Sequence, residues 1–391
     1  MQKKLSLISL LLIGLVGCNS GSQANSSAYQ IVVDSGSSGS RVYVYNKNTT
    51  ESGIVITQLY SKKSSTPLAS FATNPNSAGT SITPLLESAI SYLTSSESNL
   101  SLASVSTSVL GTAGMRLIGE SQQAAIYANL TESITSLGLK TGEVATISGQ
   151  YEGIYSWLDV NYLQNNFATN SSTTTGIFEV GGASAQVAFA TDAPSDQNVK
   201  AIKVHNHNYN VYSTSFLGLG QDYARGSLNN MDAHNQCYPS GYTYTGTNDP
   251  YFSNNSLTIN GTFASYQPCS TLADQVIESY PNIDKIDTIS NFYTQKFIGV
   301  SSVYYALSFW NIESDISALE SNIQTTCSQN YSQLQQQYPK AFNLQNQCVN
   351  SVLINQMMNS HLKFKADQLT AVPSINNTDL SYTLGFVLIN N

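Results

Sequence analysis

The chain has 391 residues, enough for two or three domains, and only 10% of them are charged, against roughly 25% in an average soluble protein. Ser, Thr, Asn and Gln supply the polarity instead, alongside 24 Tyr, and the formal net charge is −8. That balance, with no basic cluster, excludes a nucleic-acid groove and suits an exported protein.

Lys3 and Lys4 precede the apolar run Leu5–Val16, and Leu15-Val16-Gly17-Cys18 follows. Such a run is too short to anchor in a bilayer and reads as a secretory signal. The tetrapeptide LVGC resembles a bacterial lipobox, in which Cys18 becomes the acylated first residue of the mature chain. Residues 1–18 are thus read as a signal and 19–27 as a flexible tether. The chain is expected in the periplasm, on the outer membrane as a lipoprotein, or secreted, and to touch membrane only through Cys18. Four cysteines remain, Cys237, Cys269, Cys327 and Cys348. An even number in an oxidising compartment implies two disulfides with three possible pairings. The preferred pairing joins sequence neighbours, Cys237–Cys269 and Cys327–Cys348; no two cysteines lie at the spacing of a zinc clip.

Residues Ile31–Tyr45 read IVVDSGSSGSRVYVY. The flanks are strand-like in composition. The middle holds the carboxylate of Asp34 and the small residues Ser35, Gly36, Ser37, Ser38, Gly39 and Ser40, ahead of Arg41. A hairpin connection needs only about two to five residues, so a longer loop is expected, built to let a ligand approach closely. Residues Gly176–Ala190 read GIFEVGGASAQVAFA and align with the first stretch without a gap. Asp34 falls on Glu179, Gly36 on Gly181, and Ser38-Gly39 on Ala183-Ser184. Each half therefore offers strand, carboxylate, small-residue loop and strand. Backbone N–H groups in such loops form anion-binding concavities, and two of them facing each other clamp adjacent phosphates. Carboxylates do not bind phosphate themselves, so Asp34 and Glu179 imply an oxygen-liganded divalent cation, Mg²⁺ or Ca²⁺. Two unrelated hairpins with polar turns would leave the shared carboxylate offset unexplained.

Three further stretches carry chemistry. Ser108–Ile118, SVLGTAGMRLI, reads as a strand, a small-residue turn and a helix opened by Met115-Arg116. Ile147–Leu163, ISGQYEGIYSWLDVNYL, sets Glu152 near Tyr155, Trp157 and Tyr162; desolvation there raises a carboxyl pKa toward that of a useful general base. Ser215–Arg225, SFLGLGQDYAR, is apolar and glycine-bearing ahead of a helix, without the full GxGxxG of a dinucleotide site.

Taken together, DSGSSGSR, TAGMR, QYEGIYSWLDVNYL, EVGGASAQ and SFLGLGQDYAR resemble, in order, the five motifs of the apyrase, or ecto-nucleoside triphosphate diphosphohydrolase (NTPDase), family. The resemblance continues through ISNFYTQKFIG, Cys327…Cys348 and TDLSYTLGFVLIN, and with the lipobox it suggests a bacterial member. It implies an α/β fold, two ribonuclease-H-like domains of the actin-like ATPase superfamily around a central active-site cleft. The first domain would comprise residues 28–148 plus 376–391 and the second 149–375. By the same resemblance, water attacks the terminal phosphate of nucleoside tri- and diphosphates with no covalent intermediate. Glu152 matches the general base, and Ser184 and Gln186 match the residues that orient the water. Asp34 and Glu179 would hold Mg²⁺ or Ca²⁺ through its waters, with Thr112 assisting. Residues Ser35–Ser40, Gly181, Gly182 and Ala183 would grip phosphates, Arg41 and Arg116 would be anion partners, and Tyr293 would stack on the base. A monomer is expected.

Three positions depart from the family pattern. Glu179 stands where the family has Asp, Ser156 where a Gly precedes Trp157, and Ser40 where it has Thr. Two other functions remain open: an exopolyphosphatase-like hydrolase of the same superfamily, and a non-catalytic nucleotide-binding surface lipoprotein.

Overall fold

The computed structural model describes residues 26–50, 53–168, 174–204, 207–247 and 256–390. The signal and the lipobox with Cys18 lie outside them, and β1 already begins at Ser26, inside the stretch read as a tether. The first sheet contains β1 (Ser26–Gly36), β2 (Gly39–Thr50), β3 (Gly53–Ser64), β4 (Ser106–Gly111) and β5 (Lys140–Thr146), in the order β3-β2-β1-β4-β5. Strands β1 to β3 are antiparallel, and β4 and β5 run parallel to β1. Period-two alternation sorts their side chains between two faces. Ile31, Val33, Val42 and Val44 pack with α1 (Gly79–Ser96) and α3 (Glu120–Ser136). Between those helices comes the single turn α2 (Ala113–Arg116). Val32, Tyr43 and Tyr45 face the other way, toward the centre of the molecule.

After α4 (Gly149–Leu163) the second sheet is built from β6 (Gly176–Val180), β7 (Ser184–Ala190), β8 (Val199–Val204) and β9 (His207–Leu217). Helix α5 (Gln221–Met231), the hairpin of β10 (Thr243–Thr247) and β11 (Ser256–Asn260), and α6 (Tyr266–Glu278) come next. Strand β12 (Phe297–Ser301), helices α7 (Ser302–Phe309), α8 (Leu319–Cys327), α9 (Tyr331–Gln337) and α10 (Leu344–Asn355), and β13 (Leu369–Ala371) follow. The strand order is β13-β12-β6-β7-β9-β8. Phe178, Val180, Val187 and Phe189 bury one face under α5, α6, α7, α8 and α10. Disulfides Cys237–Cys269 and Cys327–Cys348 fasten this helical layer, the second joining α8 to α10.

The expectation of two ribonuclease-H-like domains is corrected here. The two sheets are open, mixed and unequal, with five strands and six. In the second, the chain inserts β8 ahead of β9, so an additional antiparallel strand closes its edge. Among the described residues, no helix is long and apolar enough to cross a membrane.

Two helices fill the space between the sheets. Helix α4 lies on β6, β7 and β9, while α11 (Tyr382–Ile389) lies on β1, β2 and β3, and the two pack against each other. Their contact is close because position 385 is glycine: a Cβ there would fall 2.0 Å from the Tyr155 carbonyl oxygen. Lys47, almost wholly buried, donates to the carbonyls of Val387 (2.8 Å) and Asn390 (2.7 Å). Its ammonium thus compensates the negative end of α11. At the other end, the Ser381 N–H donates to Asp159 Oδ2 of α4 at 2.9 Å. Gly385→Ala is therefore expected to destabilise the fold by about 1–3 kcal/mol, as overpacking does. Thermal unfolding checks this, and an unchanged midpoint would mean the helices separate freely.

Candidate active site

In the first hairpin, Asp34 pairs across the ladder with Arg41, and pairing continues to Gly36 opposite Gly39. The expected long loop is thus a tight turn of Ser37 and Ser38 only, and the other small residues belong to the strands. Gly39 is required on two counts: its φ is +146°, and a Cβ would stand 2.3 Å from the Ser64 carbonyl oxygen. Ser35 and Ser40 are buried, with their hydroxyls 3.3 Å apart. The Thr112 N–H donates to the Ser35 carbonyl at 3.2 Å, which brings the TAGMR turn alongside.

The second turn is oriented from behind by α5. The Gly181 carbonyl accepts from the Gln221 N–H (2.8 Å), and the Gly182 carbonyl from Asp222 (2.9 Å) and Tyr223 (3.1 Å). Because each peptide is trans, the N–H groups of Gly182 and Ala183 leave on the side away from α5. Gly220 of the LGLGQ stretch permits this packing, since its Cβ would fall 2.2 Å from the Ala183 nitrogen. The two turns meet. A Cβ on Gly182 would lie 2.4 Å from Ser37 Oγ, and one on Gly114 would lie 3.1 Å from Ser37 Cα.

Three carboxylates converge behind these turns. Asp34 Oδ1 accepts from the Tyr382 hydroxyl at 2.9 Å. Its pKa is pushed up to about 6, first by burial and then by Glu179, while Tyr382 and Arg41 hold it down. Glu179 accepts at both oxygens, from Ser156 Oγ at 2.7 Å and Ser301 Oγ at 3.1 Å. Burial raises its pKa, and both hydroxyls oppose that. Among the described residues, neither Asp34 nor Glu179 makes a salt bridge. Among the described residues, no group of three His, Cys, Asp or Glu side chains has metal-site geometry. Nevertheless, two half-buried carboxylates, neither in a salt bridge and one raising the pKa of the other, suit a hard, oxygen-liganded ion that keeps its waters.

Glu152, in the first turn of α4 behind an N-cap at Ser148, is buried. Its Oε2 lies 2.8 Å from Arg116 Nη2 and 3.3 Å from Gln186 Nε2. The same Arg116 nitrogen donates to Ser184 Oγ at 3.1 Å, and Nη1 donates to the Ile147 carbonyl at 3.0 Å. Gln186 Nε2 also lies 2.6 Å from Ser184 Oγ and 3.1 Å from Ser215 Oγ, so two N–H groups serve three acceptors. Burial pushes the Glu152 pKa up to about 7, with Glu179 and Asp34 adding to it and Arg116 opposing. A carboxyl whose pKa is pushed up to about 7, and which shares the Gln186 amide with the Ser184 hydroxyl, is equipped to take a proton from water. A cleft of about 480 Å³ adjoins the network, lined by Arg116, Gly149, Gln150, Asn198, Thr214 and Ser215 among others.

The structure thus brings Asp34, the two turns, Thr112, Glu152, Glu179, Ser184 and Gln186 into one neighbourhood, whereas three other residues make contacts different from those expected. Arg116 pairs with Glu152 rather than pointing as a free anion partner, and Arg41 donates to the Tyr43 hydroxyl at 3.1 Å. Tyr293 lies before the start of β12, where its hydroxyl donates to Asp287 at 3.1 Å and Lys365 Nζ sits 4.9 Å from its ring centroid. The opposite end of β12, Ser301, touches Glu179, and four residue steps of about 3.3 Å separate those ends by roughly 13 Å. Sequence reasoning passed over Tyr382, Ser301 and Tyr305, and met Ser156 only as a departure from the family pattern. Tyr305 is 66% exposed on α7, which begins where β12 ends. A lone tyrosine in the apolar run YTLGFVLI was the available signal for Tyr382, since a buried phenol needs a polar partner.

The carboxylate coupling predicts opposite effects of two substitutions on the midpoint of Asp34. Glu179→Gln removes a repelling charge and lowers it from about 6, whereas Tyr382→Phe removes the donor to the carboxylate and raises it. Carboxyl NMR titration in the presence of EDTA reads both, and shifts of the same sign would contradict this geometry.

The chain matches the GDA1/CD39 (nucleoside phosphatase) family over residues 20–390. It is 25% identical to mouse ectonucleoside triphosphate diphosphohydrolase 2, covering 92% of this chain and 81% of that protein. It is 30% identical to probable apyrase 3 of Arabidopsis thaliana, over 80% of this chain and 70% of the other. A nucleoside-triphosphatase of Caenorhabditis elegans is 29% identical over 73% of this chain, which spans only 56% of that protein's length. In shape, the chain resembles a nucleoside triphosphate hydrolase of Neospora caninum, with a TM-score of 0.69, 16% identity, and coverage of 93% of this chain and 92% of that one. It also resembles the Aquifex aeolicus PPX-GPPA enzyme, with a TM-score of 0.55, 10% identity, and coverage of 93% and 99%. At such identities the likeness concerns the fold alone: an actin-like arrangement of open, mixed sheets. With the match extending over nearly its whole length, the chain belongs to the GDA1/CD39 family.

Proposed function

We propose that this chain hydrolyses the terminal phosphoanhydride bond of nucleoside tri- and diphosphates, with Glu152 as general base. One observation carries the reading: the Gln186 amide and the Arg116 guanidinium each lie within hydrogen-bond reach of both the Glu152 carboxylate and the Ser184 hydroxyl, beside two touching turns. Phosphoryl transfer asks the protein for positioning and charge neutralisation, and the turns supply both through the N–H groups of Gly182 and Ala183 and the hydroxyls around Ser37. Water held by Ser184 and Gln186 would give its proton to Glu152. Arg116 keeps that carboxylate in place and keeps its pKa from rising further. Asp34 and Glu179, with Thr112 nearby, would hold Mg²⁺ or Ca²⁺ through its waters. When bound, such an ion neutralises charge on the phosphate oxygens. Tyr305 offers a base-stacking ring from the Glu179 end of β12, in place of Tyr293.

Phosphate release from ATP, ADP and inorganic polyphosphate, with Mg²⁺ or Ca²⁺ and then EDTA, tests this reading. Nucleotide turnover is expected, lost on chelation and reduced ~10²–10⁴-fold by Glu152→Gln, the span a positioned base typically supplies. Because the base works only when unprotonated, kcat/KM should fall as pH drops through the Glu152 midpoint, about 7 without a bound cation. Activity confined to polyphosphate would favour the exopolyphosphatase-like alternative. No turnover by folded protein would favour a binding protein.

A further inference from the structure

The internal repeat places Asp34 and Glu179 at equivalent positions, yet their surroundings differ. Each takes a hydroxyl from the helix lying on its own sheet: Tyr382 of α11 for Asp34, and Ser156 of α4 for Glu179. Glu179 is one methylene longer, so one more torsion must be fixed for its oxygens to hold a single arrangement. It has a second hydroxyl, from Ser301, on its other oxygen. Ser301 occupies φ +56°, ψ −124°, a conformation a residue with a side chain adopts only under strain. A glycine would fit that backbone without strain but would leave one Glu179 oxygen without this donor.

We infer that Ser156 and Ser301 are positioning residues that clamp the Glu179 carboxylate between two hydroxyls so that it can receive the divalent cation. The inference rests on the proposed cation role of Glu179. A carboxylate offers about four lone-pair sites, and the two hydroxyls use two, leaving one on each oxygen for cation-bound water. The departures at positions 156 and 179 then form one unit: the longer acid needs the hydroxyl that a glycine at 156 would lack.

The test uses Ser156→Ala, which keeps a helix former, and Ser301→Gly, which suits the backbone there. For the full chain and each variant, the thermal midpoint is followed against Mg²⁺ and Ca²⁺ concentration without nucleotide, and ATP hydrolysis is followed in parallel. Each variant should need about tenfold more cation for half of the midpoint rise, the scale of a lost hydrogen bond to a charged group. Ser156→Thr should restore the original dependence. Ser156→Ala should add little when Glu179 is already Asp, because the shorter acid no longer reaches position 156. Unchanged cation dependence in folded variants, or equal losses from Ser156→Ala in both backgrounds, would overturn the clamp. An unchanged protein that neither responds to cation nor hydrolyses nucleotide would instead overturn the proposed function, and the clamp with it.

Discussion

The backbone contact between α4 and α11 at Gly385 is the constraint on which the rest of the molecule depends. Each helix covers the central face of one sheet, so the distance between the helices sets the distance between the sheets. That distance lets the turn after β1 touch the turn after β6, with Ser37 against Gly182. It also brings the carboxylates that end those strands close enough for Glu179 to raise the pKa of Asp34. Lys47 and Asp159 hold the two ends of α11. A residue outside the five motifs, within the C-terminal stretch TDLSYTLGFVLIN, thereby shapes the site.

Electrostatically the site is poised and incomplete. Three acids, Asp34, Glu152 and Glu179, share a neighbourhood whose one directly paired cation is Arg116, bound to Glu152. Burial raises all three pKa values, and repulsion from neighbouring carboxylates adds to those of Asp34 and Glu152. Arg116 assigns the acids different tasks: the paired one is the candidate base, and the unpaired two suit an ion.

The site was more legible in the sequence than the fold. A carboxylate followed by small residues, repeated without a gap, identified the twin turns because their chemistry is local. The true length of the first turn was not legible: residues such as Ser35 and Gly36 continue a ladder as readily as they form a loop, and only pairing decides. The edge strand β8 carries no motif, so the inequality of the sheets went unseen. Alignment gives order along the chain and so points to Tyr293, whereas the direction of β12 determines which aromatic ring lies near the carboxylates. Ser156 looked like a mild departure and Ser301 drew no notice until both were found on the same carboxylate.

The central claim is that twin turns close over one cation-bound phosphate chain. Crystals grown with Mn²⁺ and a non-hydrolysable nucleoside triphosphate analogue, read by anomalous scattering, test it most directly. The account predicts a single manganese peak between Asp34 and Glu179, with the phosphates against Ser37, Gly182 and Ala183. A peak elsewhere, or an analogue bound away from both turns, would contradict it.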